Sequence, residues 1–216
     1  MTGLVLSLFD LTGNMVKPWR EAGYETLCVD LAHSIRAPAP GTLNCDLRTV
    51  GPLLVALADR GITPRDITFL ACFPPCTDVA VSGARDFKAK GLRRLAASIE
   101  FFATCQELAS LVDCPWFIEN PVSTIATHWR TPDLYFHPHE FAGHEPADHY
   151  TKKTCLWTGN GFVMPEAFPL LDTGPPDDRI HKAPPGEGRA DFRSATPMGF
   201  ARAVFRANAS ALEAAA

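Results

Sequence analysis

Short, almost wholly apolar runs separated by helix-length segments constrain this chain most. Leu4–Phe9 (LVLSLF) contains one polar residue, and Thr26–Asp30 (TLCVD) is an apolar run that ends in an acid. Ile67–Cys72 (ITFLAC) and Trp116–Glu119 (WFIE) repeat the pattern. A strand with one face in water alternates apolar and polar side chains, whereas a continuous apolar run needs cover on both faces. Between the runs, Val16–Ala22 closed by Gly23, Val50–Gly61 and Leu92–Val112 read as helices. In the last of these, Leu95, Ile99, Phe102, Gln106 and Ala109 fall near helical spacing. This alternation predicts an α/β fold, a mostly parallel sheet with helices on both faces.

The second half changes character. Thr158–Phe192 is rich in Pro, Gly and Asp without periodicity, so it is expected to be irregular. Pro197–Leu212 is Ala-rich, carries Phe200, Val204 and Phe205, and reads as a closing helix with Pro197 in its first turn. At about 150 residues per domain, 216 residues suggest a single domain over 1–216.

Charge and cysteine usage narrow the class. With 20 Lys+Arg against 24 Asp+Glu the net charge is −4, which speaks against a broad basic surface for nucleic acid. Ser82–Arg94 (SGARDFKAKGLRR) is the local exception, with five basic residues to one acid. No run approaches the ~20 apolar residues of a membrane span, and the apolar start lacks a basic leader. The seven cysteines are odd in number and lack the tight framework of a disulfide-rich domain, so reduced thiols in a cytoplasmic protein are expected. Five histidines lie between His128 and His149, but their spacing matches no common zinc module and no metal is expected. Trp116, Trp129 and Trp157 read as core aromatics.

In open α/β sheets, ligands bind beyond the carboxyl ends of the strands. Five polar features fall there: Asp10–Asn14, Asp30, Asp46 in the loop after a short strand, Pro75-Cys76 and Glu119-Asn120-Pro121. Gly13 allows close backbone approach to a ligand ahead of a helix start, and an acid ending the second strand suits ribose hydroxyls. Together these point to an adenosine-containing cofactor. FDLTGN has one glycine, so the dinucleotide fingerprint of nicotinamide enzymes is absent. Ordinary strand-to-helix turns with capping Asp residues are the alternative.

Leu8–Asn14 (LFDLTGN), Phe73–Cys76 (FPPC) and Ile118–Pro121 (IENP) follow one another as the motifs of cytosine C5-methyltransferases do. The chain resembles that family, most closely its short phage-type members without a large target recognition domain. Thr151–Trp157 (TKKTCLW) and Thr196–Arg202 (TPMGFAR) extend the resemblance, which spans about Leu4 to Val204. It implies a Rossmann-like fold, S-adenosylmethionine as cofactor and a cytosine-containing substrate, DNA ahead of a free nucleotide such as dCMP. A non-catalytic protein that keeps the fold and binds cofactor or nucleic acid is the rival of a different kind. The resemblance sets no oligomeric state.

Residue by residue, the resemblance makes Cys76 the nucleophile that adds to cytosine C6 and Glu119 the carboxyl group that binds N3 and the exocyclic amine. It gives Phe9, Asp10, Thr12, Gly13, Asp30, Asp46, Pro74 and Thr196 to the cofactor. It gives Pro75, Asn120, Pro121, Ser82, Arg85, Lys88, Lys152 and Lys153 to the substrate. A thiol nucleophile needs its pKa lowered, and a helix start after Pro75 is the expected source. Partial burial of Glu119 would keep a proton on it. The sequence also departs from the pattern. Leu11 and Asn14 stand where glycine is common, and Glu-Asn-Pro replaces the commoner Glu-Asn-Val. No Gln-x-Arg-x-Arg element is found, so Lys152, Lys153 or Arg130 would stand in for it.

Overall fold

The first apolar run forms a strand whose five residues, Leu4–Leu8, are all buried, as a run without polar alternation requires. In the computed structural model, which describes residues 3–182 and 193–215, this strand β1 is central to one seven-stranded sheet. The helices and strands are α1 (Lys17–Glu21), β2 (Glu25–Val29), β3 (Thr42–Leu43), α2 (Val50–Ala58), β4 (Ile67–Cys72), α3 (Phe87–Lys90) and α4 (Leu92–Leu111). They continue with β5 (Trp116–Pro121), α5 (Ile125–His128), β6 (Leu134–Phe136), β7 (Thr154–Gly159), α6 (Arg179–Lys182) and α7 (Met198–Ala215). The strand order is β3-β2-β1-β4-β5-β7-β6. β1 to β5 pair in parallel, and β7 runs antiparallel to both β5 and β6. The fold is therefore α/β and mostly parallel, consistent with the Rossmann-like class.

Side-chain alternation along β1 splits the core in two. Leu4, Leu6 and Leu8 pack on one face with Leu53 and Leu57 of α2 and Phe102, Cys105 and Leu108 of α4. Val5 joins the other face with Trp19 of α1 and Phe200 and Val204 of α7. Helices thus cover both faces, and the closing helix belongs to the second.

Successive strands step outward in one direction from β1 to β3 and in the other from β4 to β5. The reversal lies between β1 and β4, where a doubly wound sheet opens a crevice at its carboxyl edge. The loops after β1, β2, β3 and β4 begin at that edge, and β5 ends there.

The structure corrects several boundaries. β5 runs on to Pro121 rather than breaking at Glu119: its far end pairs with β7 alone, Pro121 opposite Thr154, where a missing N–H is tolerated. β6 and β7 were not anticipated, because one is three residues long and the other follows two lysines. Thr158 and Gly159 of the expected irregular stretch therefore end a strand, and α6 interrupts that stretch later. Residues 183–192 lie outside the described residues. Pro197 precedes α7 rather than entering it, and its carbonyl accepts the Ala201 N–H at 3.0 Å.

The second core rests on aromatic edges. Phe117 is fully buried, with ring centroids 5.5 Å from Phe162, 5.6 Å from Phe73 and 6.0 Å from Phe200. Phe117→Ala should lower stability by about 3–5 kcal/mol in a denaturant titration, while exposed Val55→Ala on α2 should stay within about 0.5 kcal/mol.

Candidate active site

Adjacent parallel strands bring Cys76 and Glu119 together. β4 and β5 run side by side with Cys72 opposite Ile118, and the chain beyond each strand is tied to the other. The buried Asn120 side chain donates from Nδ2 to the Pro74 carbonyl at 2.9 Å. The Val81 N–H donates to Val122 O, and the Thr124 N–H to Val79 O, both at 2.9 Å. Pro74 is buried, Pro75 exposed and Cys76 half-buried between them and the turn that follows. That turn closes on the Cys76 carbonyl, which accepts from Val79 at 3.1 Å and Ala80 at 2.9 Å.

No helix begins directly after Pro75, which corrects the expected source of thiol activation. The next element is a 3₁₀ segment, Val81–Asp86. Burial pushes the Cys76 thiol above its ordinary value and the Glu119 charge pushes the same way, while Lys152 and Arg193 pull it down. The resting thiol is therefore protonated at neutral pH.

Glu119 stands beside it with a side chain 13% exposed and an Oε1 that has no hydrogen-bond partner. Burial raises its pKa, and the nearby Lys152 ammonium only partly offsets this. Lys152 Nζ lies 3.7 Å from Oε1, in ion-pair range but beyond a hydrogen bond. The structure separates the three candidate cations. Lys153 is exposed, its ammonium 4.9 Å over the Tyr135 ring, and Arg130 binds Asp133 and the Thr158 carbonyl. Lys152 alone of the three faces Glu119.

A small pocket opens against this group, lined by Glu119 and Lys152 with Phe73, Phe136, Thr196 and Phe200. Thr154 and Ser194 also line it, and Arg193 acts electrostatically on Cys76. None of Phe136, Thr154, Arg193, Ser194 or Phe200 was singled out as a site residue. Reading Lys152-Lys153-Thr154 as the approach to a strand would have put Lys152 and Thr154 on one side and Lys153 on the other.

The other side of the site is built at the ends of β1, β2 and β3, where Leu8 pairs with Val29 and Val29 with Leu43. Phe9 sits at φ +56°, a left-handed conformation that a bulky side chain rarely adopts and that clusters at functional sites. Its N–H donates to Val29 O at 2.7 Å and its ring meets Phe101 edge-on at 5.4 Å. Asp10 is buried and occupied by its own loop: Ser7 Oγ donates to Oδ2, and Thr12 Oγ1 and the Gly13 N–H donate to Oδ1. Asp10 and Thr12 thus shape the turn that presents Gly13, itself at φ +68°.

Asp30 accepts the Ala32 N–H at 2.7 Å, and Asp46 accepts the Arg48 N–H at 3.1 Å. Asn44 ties the loops after β2 and β3 together by donating to Leu31 O at 2.5 Å and His33 O at 2.9 Å. Thr196, remote in sequence, is held to the first loop by Asn14 Nδ2, which donates to its carbonyl at 3.0 Å.

Beyond Cys76, the basic segment folds over the loop. Asp78 forms ion pairs with Lys90 at 3.1 Å and Arg94 at 3.4 Å, and Lys90 Nζ also donates to Thr77 O at 2.6 Å. Ser82, Arg85 and Lys88 are exposed. A cleft of about 340 Å³ lies beneath, between Asp78, Phe87, Lys88, Lys90 and Leu92.

Trp157 is buried and Trp129 40% exposed. His137 and His139 have ring centroids 5.3 Å apart, yet among the described residues no group of three or more His, Cys, Asp and Glu side chains is arranged to hold a metal ion. All seven cysteines are free thiols. Among the described residues, no helix is long and apolar enough to cross a membrane. No protein-family model matches the chain, and no curated protein matches it either.

Three outcomes follow from this geometry. Iodoacetamide near pH 7.5 should alkylate Cys76 ahead of the six buried thiols. Glu119→Gln should speed that reaction several-fold, because removing the carboxylate charge lowers the thiol pKa and leaves Lys152 opposite it. Gly13→Ala should lower stability by about 1–2 kcal/mol, the cost of a side chain in the left-handed region.

Proposed function

We propose that this chain transfers a methyl group from S-adenosylmethionine to C5 of cytosine through a covalent bond between Cys76 and C6. The observation that carries the reading is a half-buried thiol beside a buried carboxyl group whose pKa burial raises. The pair sits at the carboxyl ends of neighbouring strands, next to the β1/β4 crevice. The resemblance of FPPC and IENP to cytosine C5-methyltransferases supports the same roles. An orphaned buried Oε1 on Glu119 and an unpartnered buried Oδ1 on Asn120 suit a polar, edge-on ligand such as a nucleobase.

The chemistry follows from the groups present. Cytosine C5 is too weak a nucleophile to be alkylated directly. As the Cys76 thiolate adds to C6, an S–C6 bond forms and negative charge spreads towards N3. The Glu119 proton at N3 neutralises that charge and leaves an enamine whose nucleophilic carbon is C5. Lys152 holds the carboxyl group in place. Once C5 carries the methyl group, water takes the C5 proton and N3 returns its proton to Glu119; the C–H electron pair re-forms the C5–C6 double bond and expels the Cys76 thiolate.

The residues at the β1, β2 and β3 ends fit an adenosine-containing group. Gly13 is in a conformation that favours glycine, Phe9 projects a ring from a left-handed backbone, and Asp30 and Asp46 lie on neighbouring loops. Phe9, Gly13, Asp30, Asp46, Pro74 and Thr196 would hold S-adenosylmethionine, which when bound supplies an electrophilic methyl group.

DNA is the favoured substrate. Arg85 and Lys88 are exposed in the segment that follows the Cys76 loop, where two cations are available to phosphates. In a duplex the target cytosine would leave the stack to reach Cys76. Pro75, Ser82, Asn120, Pro121 and Lys152 would then surround it, with Lys153 at the margin. The net charge of −4 favours a second reading, the same reaction on a free cytidine nucleotide. A cytoplasmic setting belongs to this proposal, in keeping with the free thiols.

Labelled S-adenosylmethionine with DNA, RNA and dCMP in parallel tests the reading. Label should enter DNA at cytosine C5; transfer to dCMP alone would favour the second reading, and no transfer to any cytosine would overturn both. Cys76→Ser should abolish transfer, and Glu119→Gln should slow it by about 10²–10⁴-fold.

The pH profile of kcat/KM is expected to be bell-shaped, since the reactive form carries one proton on the Cys76–Glu119 pair. Because both pKa values are raised, the acid limb should lie above the usual carboxylate range and the alkaline limb above the usual thiol range. Glu119→Gln should remove the alkaline limb and leave a rise through the thiol pKa.

A further inference from the structure

Resting on the methyltransferase reading, we propose that Asp148 is a positioning residue, setting the start of α7 so that Thr196, Pro197 and Phe200 form one wall of the site. Asp148 lies far from Cys76 in sequence and carries none of the motif residues. It ends a short 3₁₀ turn, Pro146–Asp148, and is 8% exposed. Its Oδ2 accepts the Gly199 N–H at 2.6 Å in a buried hydrogen bond.

Gly199 is the second residue of α7, where a helix leaves its N–H groups without intrahelical partners. A carboxylate there satisfies one of these donors and meets the positive end of the helix dipole. The seat is tight. A Cβ on Gly199 would come within 2.4 Å of the Phe141 carbonyl oxygen and 3.2 Å of Asp148 Oδ2. Arg202, one turn on, fastens the helix to the same loop through Glu145 at 3.0 Å and the His144 carbonyl at 2.6 Å.

This clamp bears on the site because the residues flanking Gly199 line it. Phe200 stacks on Phe136 with centroids 4.0 Å apart and planes 14° from parallel, and both rings border the Glu119–Lys152 pocket. Thr196 and Pro197 border the same pocket, and the Thr196 carbonyl receives Asn14 from the first loop. The wall between the Glu119 pocket and the β1 loop therefore has two tethers, Asn14 on one side and Asp148 on the other.

Calorimetric titration with S-adenosylmethionine tests this on the wild type, Asp148→Ala and Asp148→Asn, each checked for its thermal midpoint without ligand. Asp148→Ala should bind about tenfold more weakly, the factor of one lost buried hydrogen bond. Asp148→Asn keeps an oxygen acceptor and should stay within about threefold. Folded Asp148→Ala binding like the wild type would overturn the proposal, as would Asp148→Asn as weak as Asp148→Ala. Should Asp148→Ala not fold, Asn14→Ala carries the test: it cuts the other tether and should weaken binding by a similar factor, and unchanged binding would overturn the proposal. A wild type that binds no S-adenosylmethionine would instead overturn the methyltransferase reading on which the proposal stands.

Discussion

Parallel pairing of β4 with β5 sets Cys72 opposite Ile118, and the chemistry of this molecule depends on what the two chains do beyond that point. A parallel pair delivers both carboxyl ends to the same edge, so a residue just past one strand and a residue ending the other are neighbours by construction. Asn120 then closes the gap by donating to Pro74, and the backbone bonds of Val81 and Thr124 continue the seam. The loop holding Cys76 is consequently fixed on a rigid frame rather than left to move in solvent. Because the sheet order reverses between β1 and β4, the same edge also offers the crevice where the Phe9–Gly13 turn sits.

Electrostatics within the seam favour a shared proton over a free thiolate. Glu119 and Cys76 are both raised, chiefly by burial, and the Glu119 charge disfavours charge on Cys76. One proton between them is the natural resting arrangement, and a nucleobase that accepts a hydrogen bond from Glu119 frees the thiol from a neighbouring negative charge. On the proposed mechanism, activation by the ligand takes the place of a helix start. The Lys152 ammonium, 3.7 Å from Glu119 Oε1, works against both shifts.

Much of the sheet was legible from local pattern alone. Leu4–Leu8, Ile67–Cys72 and the long helix Leu92–Leu111 are written in continuous apolar runs and helical spacing, and the structure follows them to within a residue or two. The antiparallel part was not. β7 exists because it pairs with β5, and β6 because it pairs with β7, a long-range condition that no local run records. The site divides in the same way. Cys76 and Glu119 are visible in the sequence as strand-end residues, and their roles there rest on the resemblance of FPPC and IENP to cytosine C5-methyltransferase motifs. Asp148, Phe136 and Phe200 reach the site only through tertiary packing. Asp10 shows a third case: its position was visible, but its three internal donors were not.

The central claim is a covalent bond between Cys76 and cytosine C6, and trapping tests it most directly. DNA carrying 5-fluorocytosine supplies a target whose C5 substituent cannot leave as a proton, so the adduct should persist once the methyl group has been transferred. Mass spectrometry of the digested complex should then place the nucleotide on the Cys76 peptide, with none in Cys76→Ser. A wild-type protein that methylates ordinary cytosine yet yields no such adduct, or an adduct that survives in Cys76→Ser, would contradict the account.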